Sequence, residues 1–206
     1  MNIIEDLIEI FRKFPGVGPR QAERFVYYLL RQKKDYLKKI SSLLPHLNEK
    51  IQTCRLCQRF YLSENAKNDL CDICLDGNRD SKILMIVGQD VDLQAIERSR
   101  NFNGRYFVLG GLVPVLEKNV ENRIRLAELK KSLEGRNKKD NLQEIILALD
   151  ANPEGENTTS IIKKEIEKFT EKNNIKISVL GRGLSTGTEL EYSDSETIKN
   201  ALKNRF

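Results

Sequence analysis

The sequence predicts an α/β protein with a helical N-terminal region, a four-cysteine knuckle, a parallel-sheet domain and a C-terminal helix. Three observations carry this. Apolar residues recur at helical spacing through the first fifty positions, broken by a proline-glycine stretch. All four cysteines fall between residues 54 and 74. Beyond residue 80, short apolar runs alternate with amphipathic segments, the pattern of strands joined by crossover helices.

Ile3, Ile4, Leu7, Ile8 and Phe11 share one face of a first helix, and Phe14-Pro15-Gly16-Val17-Gly18-Pro19 ends it. A second helix starts at Pro19, where a first-turn proline loses no hydrogen bond, and presents Ala22, Phe25, Val26, Leu29 and Leu30. A third amphipathic segment carries Leu37, Ile40, Leu43, Leu44, Leu47 and Ile51, and Pro45 is expected to bend or interrupt it. Strands are expected at 82–87, 105–109, 144–149 and 176–180, with helices at 91–99, 121–133, 158–172 and 194–202. The polar stretch Gly135 to Asn141 reads as an exposed loop.

The chain has 206 residues and a net charge of +5, with 32% charged residues, the balance of a soluble globular protein. No run of about 18 apolar residues suggests a membrane span. Glu5, Asp6 and Glu9 interrupt the N-terminal apolar residues, which argues against a secretory signal and for the cytoplasm. The charge is unevenly placed. From Ile10 to Ile40 nine basic residues face two acidic ones, a local excess of +7, which suits a polyanionic partner. A solvated helix face is the plainer reading of such a run.

Cys54-x2-Cys57 and Cys71-x2-Cys74 are separated by thirteen residues. Each pair can offer two thiolates to one ion, and together they complete a tetrahedral, closed, structural zinc site. In a cytoplasmic chain this clustering favours metal over disulfides. Arg55 and Arg59 lie beside the thiolates and would offset their charge. In the proline-glycine stretch, Gly16 and Gly18 permit a tight hairpin whose following helix points free N–H groups at a phosphate. Arg20 and Arg24, four apart, share one face of that helix and could bind further phosphates without reading bases. An ordinary turn is the bland alternative.

Asp150-Ala151-Asn152-Pro153-Glu154-Gly155-Glu156 follows an apolar strand, the place where α/β folds put their sites. Asp150, Glu154 and Glu156 could bind magnesium weakly, form a protein-docking surface, or simply open a capped helix. Gly88 stands at the end of the first sheet strand, where a metal-dependent nuclease or topoisomerase would carry a carboxylate, and only Asp90 or Asp92 could partly replace it. The single histidine, His46, supports no histidine-based catalysis, and Tyr27 and Tyr28 read as core or interface rather than nucleophiles.

The succession of FPGVGPRQAERF, the four-cysteine knuckle, DANPEGENTT and GRGLSTGTELEYSDSETIKNAL resembles the bacterial RecR family of recombination mediator proteins along essentially the whole chain. The resemblance implies a Toprim-like parallel-sheet domain over 80–175. It implies a helix-hairpin-helix DNA-binding region over 1–53, a zinc finger over 54–75, and a C-terminal strand and helix over 176–206 serving oligomerisation. It further implies a non-enzymatic role in DNA repair. A homo-oligomeric clamp, dimer or tetramer, would bind single- or double-stranded DNA without sequence preference. It would act with RecO, and in many bacteria RecF, to load RecA at gaps. On this resemblance Gly16, Gly18, Arg20 and Arg24 fall on the DNA-binding hairpin, Cys54, Cys57, Cys71 and Cys74 on the zinc finger, and Glu154 and Glu156 on a partner-binding acidic loop. This chain departs from the family pattern at Gly88, at the shortened run between Pro153 and Glu154, and after Gly111, where the usual glycine-rich loop is missing. A magnesium-dependent Toprim nuclease or topoisomerase, and a scaffold that binds only protein, are the rival readings.

Overall fold

A computed structural model describes residues 2–62, 69–117, 119–181, 183–184, 187 and 189–203. Arg182, Ser185, Thr186 and Thr188 of the family-like closing segment lie outside the described residues. The chain divides into two compact units, Met1–Ile51 and Gln52–Phe206.

The first unit is helical: α1 (Ile3–Arg12), α2 (Pro19–Leu30) and α3 (Lys34–Lys50). Asn2 and Glu5 form a reciprocal cap at the start of α1. Ala22 and Val26 of α2 are fully buried, and the Phe11 ring meets Phe25 edge-on at 5.8 Å, so the paired helices close on a small aromatic core. Of the bend or interruption expected at Pro45, the interruption does not occur, and α3 continues through it. No residue of α3 is buried, so the carbonyl that Pro45 leaves unpaired can turn to water.

The second unit begins with a short two-stranded sheet, β1 (Ile51–Thr53) and β2 (Phe60–Leu62), and the one-turn helix α4 (Asp72–Leu75). Its main sheet has four parallel strands in the order β4-β3-β5-β6: β3 (Asp80–Val87), β4 (Gly104–Val108), β5 (Glu144–Ala148) and β6 (Lys176–Val179). Between them run α5 (Asp90–Ser99), α6 (Leu126–Asp140) and α7 (Pro153–Asn173), and α8 (Ser195–Lys203) follows. Strand residues alternate between two faces. Leu84, Ile86, Phe107, Ile145 and Leu147 pack against Leu129 and Leu133 of α6 and Ile162 and Ile166 of α7. Met85, Val87, Tyr106 and Val108 pack on the opposite face with Leu93 of α5 and with the knuckle cysteines. The predicted α/β architecture is the one observed.

Two sequence expectations give way to longer helices. Helix α6 continues to Asp140, absorbing all of the stretch 135–141 that read as an exposed loop except its C-cap, Asn141. Leu133 and Arg136 are buried there, so tertiary packing overrides the weak local helix signal of Gly135 and the polar residues around it. Helix α7 starts at Pro153 rather than 158, with Asn152 as its N-cap accepting the Gly155 N–H at 2.8 Å. The acidic run is therefore the first turn of a helix. A Cβ at Gly155 would sit 2.0 Å from the Asp150 carbonyl oxygen, so only glycine allows this helix to start so close to the end of β5. Gly155→Ala is expected to lower the stability of this unit by about 1–3 kcal/mol, read by urea unfolding, because the β5–α7 turn must shift to admit the methyl group.

Candidate functional site

The four cysteine sulfurs lie within 4.8 Å of one another, with Cys57 and Cys71 sulfurs 3.5 Å apart. Tetrahedral coordination with metal–sulfur bonds of about 2.3 Å needs sulfur–sulfur separations near 3.8 Å, so this arrangement fits one ion with four thiolate ligands. Cys54, Cys57 and Cys71 are fully buried and Cys74 partly so, which leaves no open coordination position for chemistry. Among the described residues this is the only such group of metal-ligating side chains. Hydrogen bonds with Cys57, Cys71 and Cys74 hold the Cys54 thiol below its ordinary range, while those with Cys54, Cys71 and Cys74 push Cys57 up. Four sulfurs this close cannot all carry charge unless a cation lies between them.

The local fold places the sulfurs. Cys54 N–H donates to the Arg59 carbonyl at 2.9 Å and Gln58 N–H to the Cys54 carbonyl at 2.8 Å, closing the first turn. Gln58 adopts φ 61°, a left-handed conformation that favours glycine. Cys71 precedes α4, which carries Cys74 one turn on.

The knuckle is sewn to the outer edge of the main sheet. Val108 N–H of β4 donates to the Cys57 carbonyl at 2.8 Å. Arg125 donates to the Gln58 carbonyl at 2.6 Å and, more loosely, to the Val108 carbonyl at 3.4 Å, with its guanidinium 5.6 Å from the Phe60 ring centre. Arg105 donates to the Ile73 carbonyl and, at 2.6 Å, to the Asp76 carbonyl. Arg79 pairs with Glu97 and reaches the Gly104 carbonyl at 3.3 Å. Burial raises and the Arg79 and Tyr106 hydrogen bonds lower the Glu97 carboxyl, which ends below its ordinary range. The sequence offered no local signal for these arginines, whose hydrogen-bond partners lie 17 to 67 residues away, although Arg79 also has Asp76 at 3.7 Å. Of the two arginines expected to offset the thiolates, Arg59 pairs with Asp72 at 3.3 Å and Arg55 is exposed.

In the helical unit, the hairpin residues stand as the sequence placed them. Gly16 has φ 74°, which demands glycine, and Gly18 is the N-cap of α2. No side chain caps this helix start, and a Cβ at Gly18 would meet nothing within 4 Å, so the backbone here is open to a ligand. Arg20 and Arg24 are exposed.

The acidic residues are not gathered in the same way. Asp150, Glu154 and Glu156 are exposed at the C-terminal end of β5 and the start of α7. Asp90 accepts the Phe60 N–H at 2.8 Å and Asp92 accepts the Gln89 N–H at 2.7 Å, so each carries a local structural bond. Burial, opposed by that bond and aided by the charges of Asp150 and Asp90, raises the Asp92 carboxyl above its ordinary range. A Cβ at Gly88 would lie 3.3 Å from both an Asp92 oxygen and the Leu112 side chain. Two further residues of the motif have a role that the sequence did not show. Thr158 Oγ accepts the Val113 N–H at 2.8 Å, and Asn157 donates to the Val113 carbonyl at 3.0 Å, pinning the segment after β4.

Comparison with known proteins agrees with this layout. Residues 4–47 match the profile described as RecR, helix-hairpin-helix; 82–181 match the Toprim domain; 183–205 match RecR, C-terminal. The chain is 35% identical over 199 residues to the recombination protein RecR of Prochlorococcus marinus strain MIT 9303, covering 97% of this chain and 98% of that one. The chain belongs to the RecR family. It is also 35% identical over 205 residues to the RecR of Legionella pneumophila strain Philadelphia 1, covering all of this chain and 96% of that one. The RecR of Bifidobacterium longum subsp. infantis is 33% identical over 202 residues, 98% of this chain and 94% of that one. No helix among the described residues is long and apolar enough to cross a membrane.

The left-handed Gln58 gives a direct test of the knuckle geometry. Gln58→Gly is expected to stabilise the second unit by about 1 kcal/mol, because glycine takes this backbone region without the penalty a Cβ incurs. Thermal unfolding of the metal-loaded protein checks it, and a fall in stability would contradict the turn described.

Proposed function

We propose that the protein is a DNA-binding accessory of recombinational repair that performs no chemistry on DNA. The observation that carries this reading is the uncapped start of α2 beside exposed Arg20 and Arg24, within the segment matching the RecR helix-hairpin-helix. Open N–H groups and the positive end of the helix dipole hold one phosphate, and the two guanidinium groups hold others. Such contacts set affinity and register but read no bases, so binding is independent of sequence. The ion of the cysteine knuckle is zinc, for which four thiolates in a closed tetrahedral site are the usual structural set, and Cys54, Cys57, Cys71 and Cys74 hold it. Family membership supports the remaining parts of the reading. These are a homo-oligomeric clamp, dimer or tetramer, partnership with RecO and in many bacteria RecF, and help in loading RecA at gaps.

A Toprim enzyme cutting DNA would need a carboxylate at the end of β3 and a group of acids around magnesium. Gly88 occupies the first place, with little room for a longer side chain. Asn152, Asp90 and Asp92 are engaged in backbone hydrogen bonds. The exposed Asp150, Glu154 and Glu156 then serve as a docking surface for a protein partner, and any magnesium they hold is held weakly.

The Arg20→Ala/Arg24→Ala double variant is expected to fold normally, to bind DNA more weakly on every sequence, and to reduce the salt slope of binding by about two. Titrations at several salt concentrations measure both quantities. An unchanged slope would remove the hairpin assignment. The same samples run on a gel with magnesium are expected to show intact DNA. Cutting abolished by Glu154→Ala would establish the Toprim enzyme instead.

A further inference from the structure

Arg136 on α6 is 95% buried, with 5% of its surface exposed. Among the described residues no carboxylate pairs with it. Its guanidinium is surrounded by uncharged acceptors and one sulfur. Nε donates to Ser132 Oγ at 3.2 Å, and Nη2 reaches the Leu56 carbonyl at 3.5 Å, the Tyr106 carbonyl at 3.4 Å and Cys74 Sγ at 4.0 Å. Ser132 Oγ in turn donates to the Leu56 carbonyl at 3.0 Å. A guanidinium is always charged, and burying it without an opposite charge is strongly destabilising.

Four thiolates around one dication carry a net charge of about −2, and that charge is the anion at hand. We propose that Arg136 is the counter-ion of the metal–thiolate centre and the positioning residue that couples metal occupancy to closure of the β4 edge. The coupling follows from its three attachments. It grips the knuckle at Leu56 and Cys74, the edge strand at Tyr106, and its own helix through Ser132. With metal bound, the charge of the centre holds the guanidinium in this place, and the guanidinium holds the knuckle over the strand. With metal gone, the cation has no buried opposite charge, and the arrangement favours its withdrawal towards water.

This proposal rests on the metal reading above, and the test keeps the two apart. Metal content of the full-length wild type is measured first, and a wild type without metal removes both. Release of metal to a chromogenic chelator is then timed for the wild type, Arg136→Met, Arg136→Lys and Arg79→Met. Arg79→Met serves as the control, because it removes another arginine that reaches a β4 carbonyl and loses the Glu97 pair without touching a sulfur. Arg136→Met is expected to release metal roughly 10–100-fold faster than the wild type. Arg136→Lys, which keeps the charge and loses the planar fork, is expected to fall between them, and Arg79→Met to stay close to the wild type. Should Arg136→Met not fold, Arg136→Lys against Arg79→Met decides. Equal release from these two, or wild-type release from Arg136→Met, would overturn the proposal while leaving the metal reading intact.

Discussion

The second unit depends on how the outer edge of β4 is closed. A sheet edge exposes a row of unpaired N–H and carbonyl groups, and an uncovered one invites pairing with another chain. Here the backbone of β4 that faces away from β3 is met by the cysteine knuckle at Val108 and by arginines from outside the knuckle at its carbonyls. Val108 N–H reaches the Cys57 carbonyl, and the Gly104, Tyr106 and Val108 carbonyls each lie within 3.4 Å of an arginine nitrogen. The knuckle is too short to build an apolar core of its own, and its cysteines join the residues of one sheet face in a common cluster. The clustered cysteines draw the knuckle together, and the knuckle and three arginines together cover the sheet edge.

Much of this fold was legible in the sequence because its signals are local. Paired C-x2-C spacing identifies the ligands without any knowledge of the surroundings, and Pro19 after Gly18 marks the start of α2. The apolar runs of β3 and β5 are read directly because both lie inside a two-sided sheet. The misread loop at 135–141 has a long-range cause. Gly135 and its polar neighbours lack helix propensity and apolar spacing, yet α6 continues through them because Leu133 and Arg136 are held by partners elsewhere in the chain. That reading put Arg136 on a surface loop, hiding a cation that reaches a cysteine sulfur. A buried arginine leaves no periodic signature, and apart from Ser132 on its own helix its partners are 30 to 80 residues away.

The chain separates its two kinds of surface chemistry. Positive charge concentrates in the helical unit, where a glycine hairpin leaves backbone N–H groups open. Acidic residues gather at the C-terminal end of the parallel strands, where this fold class places its sites. In this chain that end has been given over to structure. Asn152 caps a helix, Asp92 holds the turn after β3, Asp90 steadies β2, and Asn157 and Thr158 fasten the segment following β4. Each of these side chains holds a turn, a helix start or a loop at this end of the sheet.

Amide hydrogen exchange at Val108 is the most direct test that the knuckle closes the sheet. The wild type is compared metal-loaded and after removal of metal by a chelator, with the amides of β5 as the internal reference. The account predicts that Val108 exchanges at least roughly tenfold faster once metal is removed, the equivalent of losing one hydrogen bond of about 1.4 kcal/mol, before β5 loses protection. Unchanged protection at Val108 in the metal-free protein would show that the edge closes without the knuckle, and would contradict it.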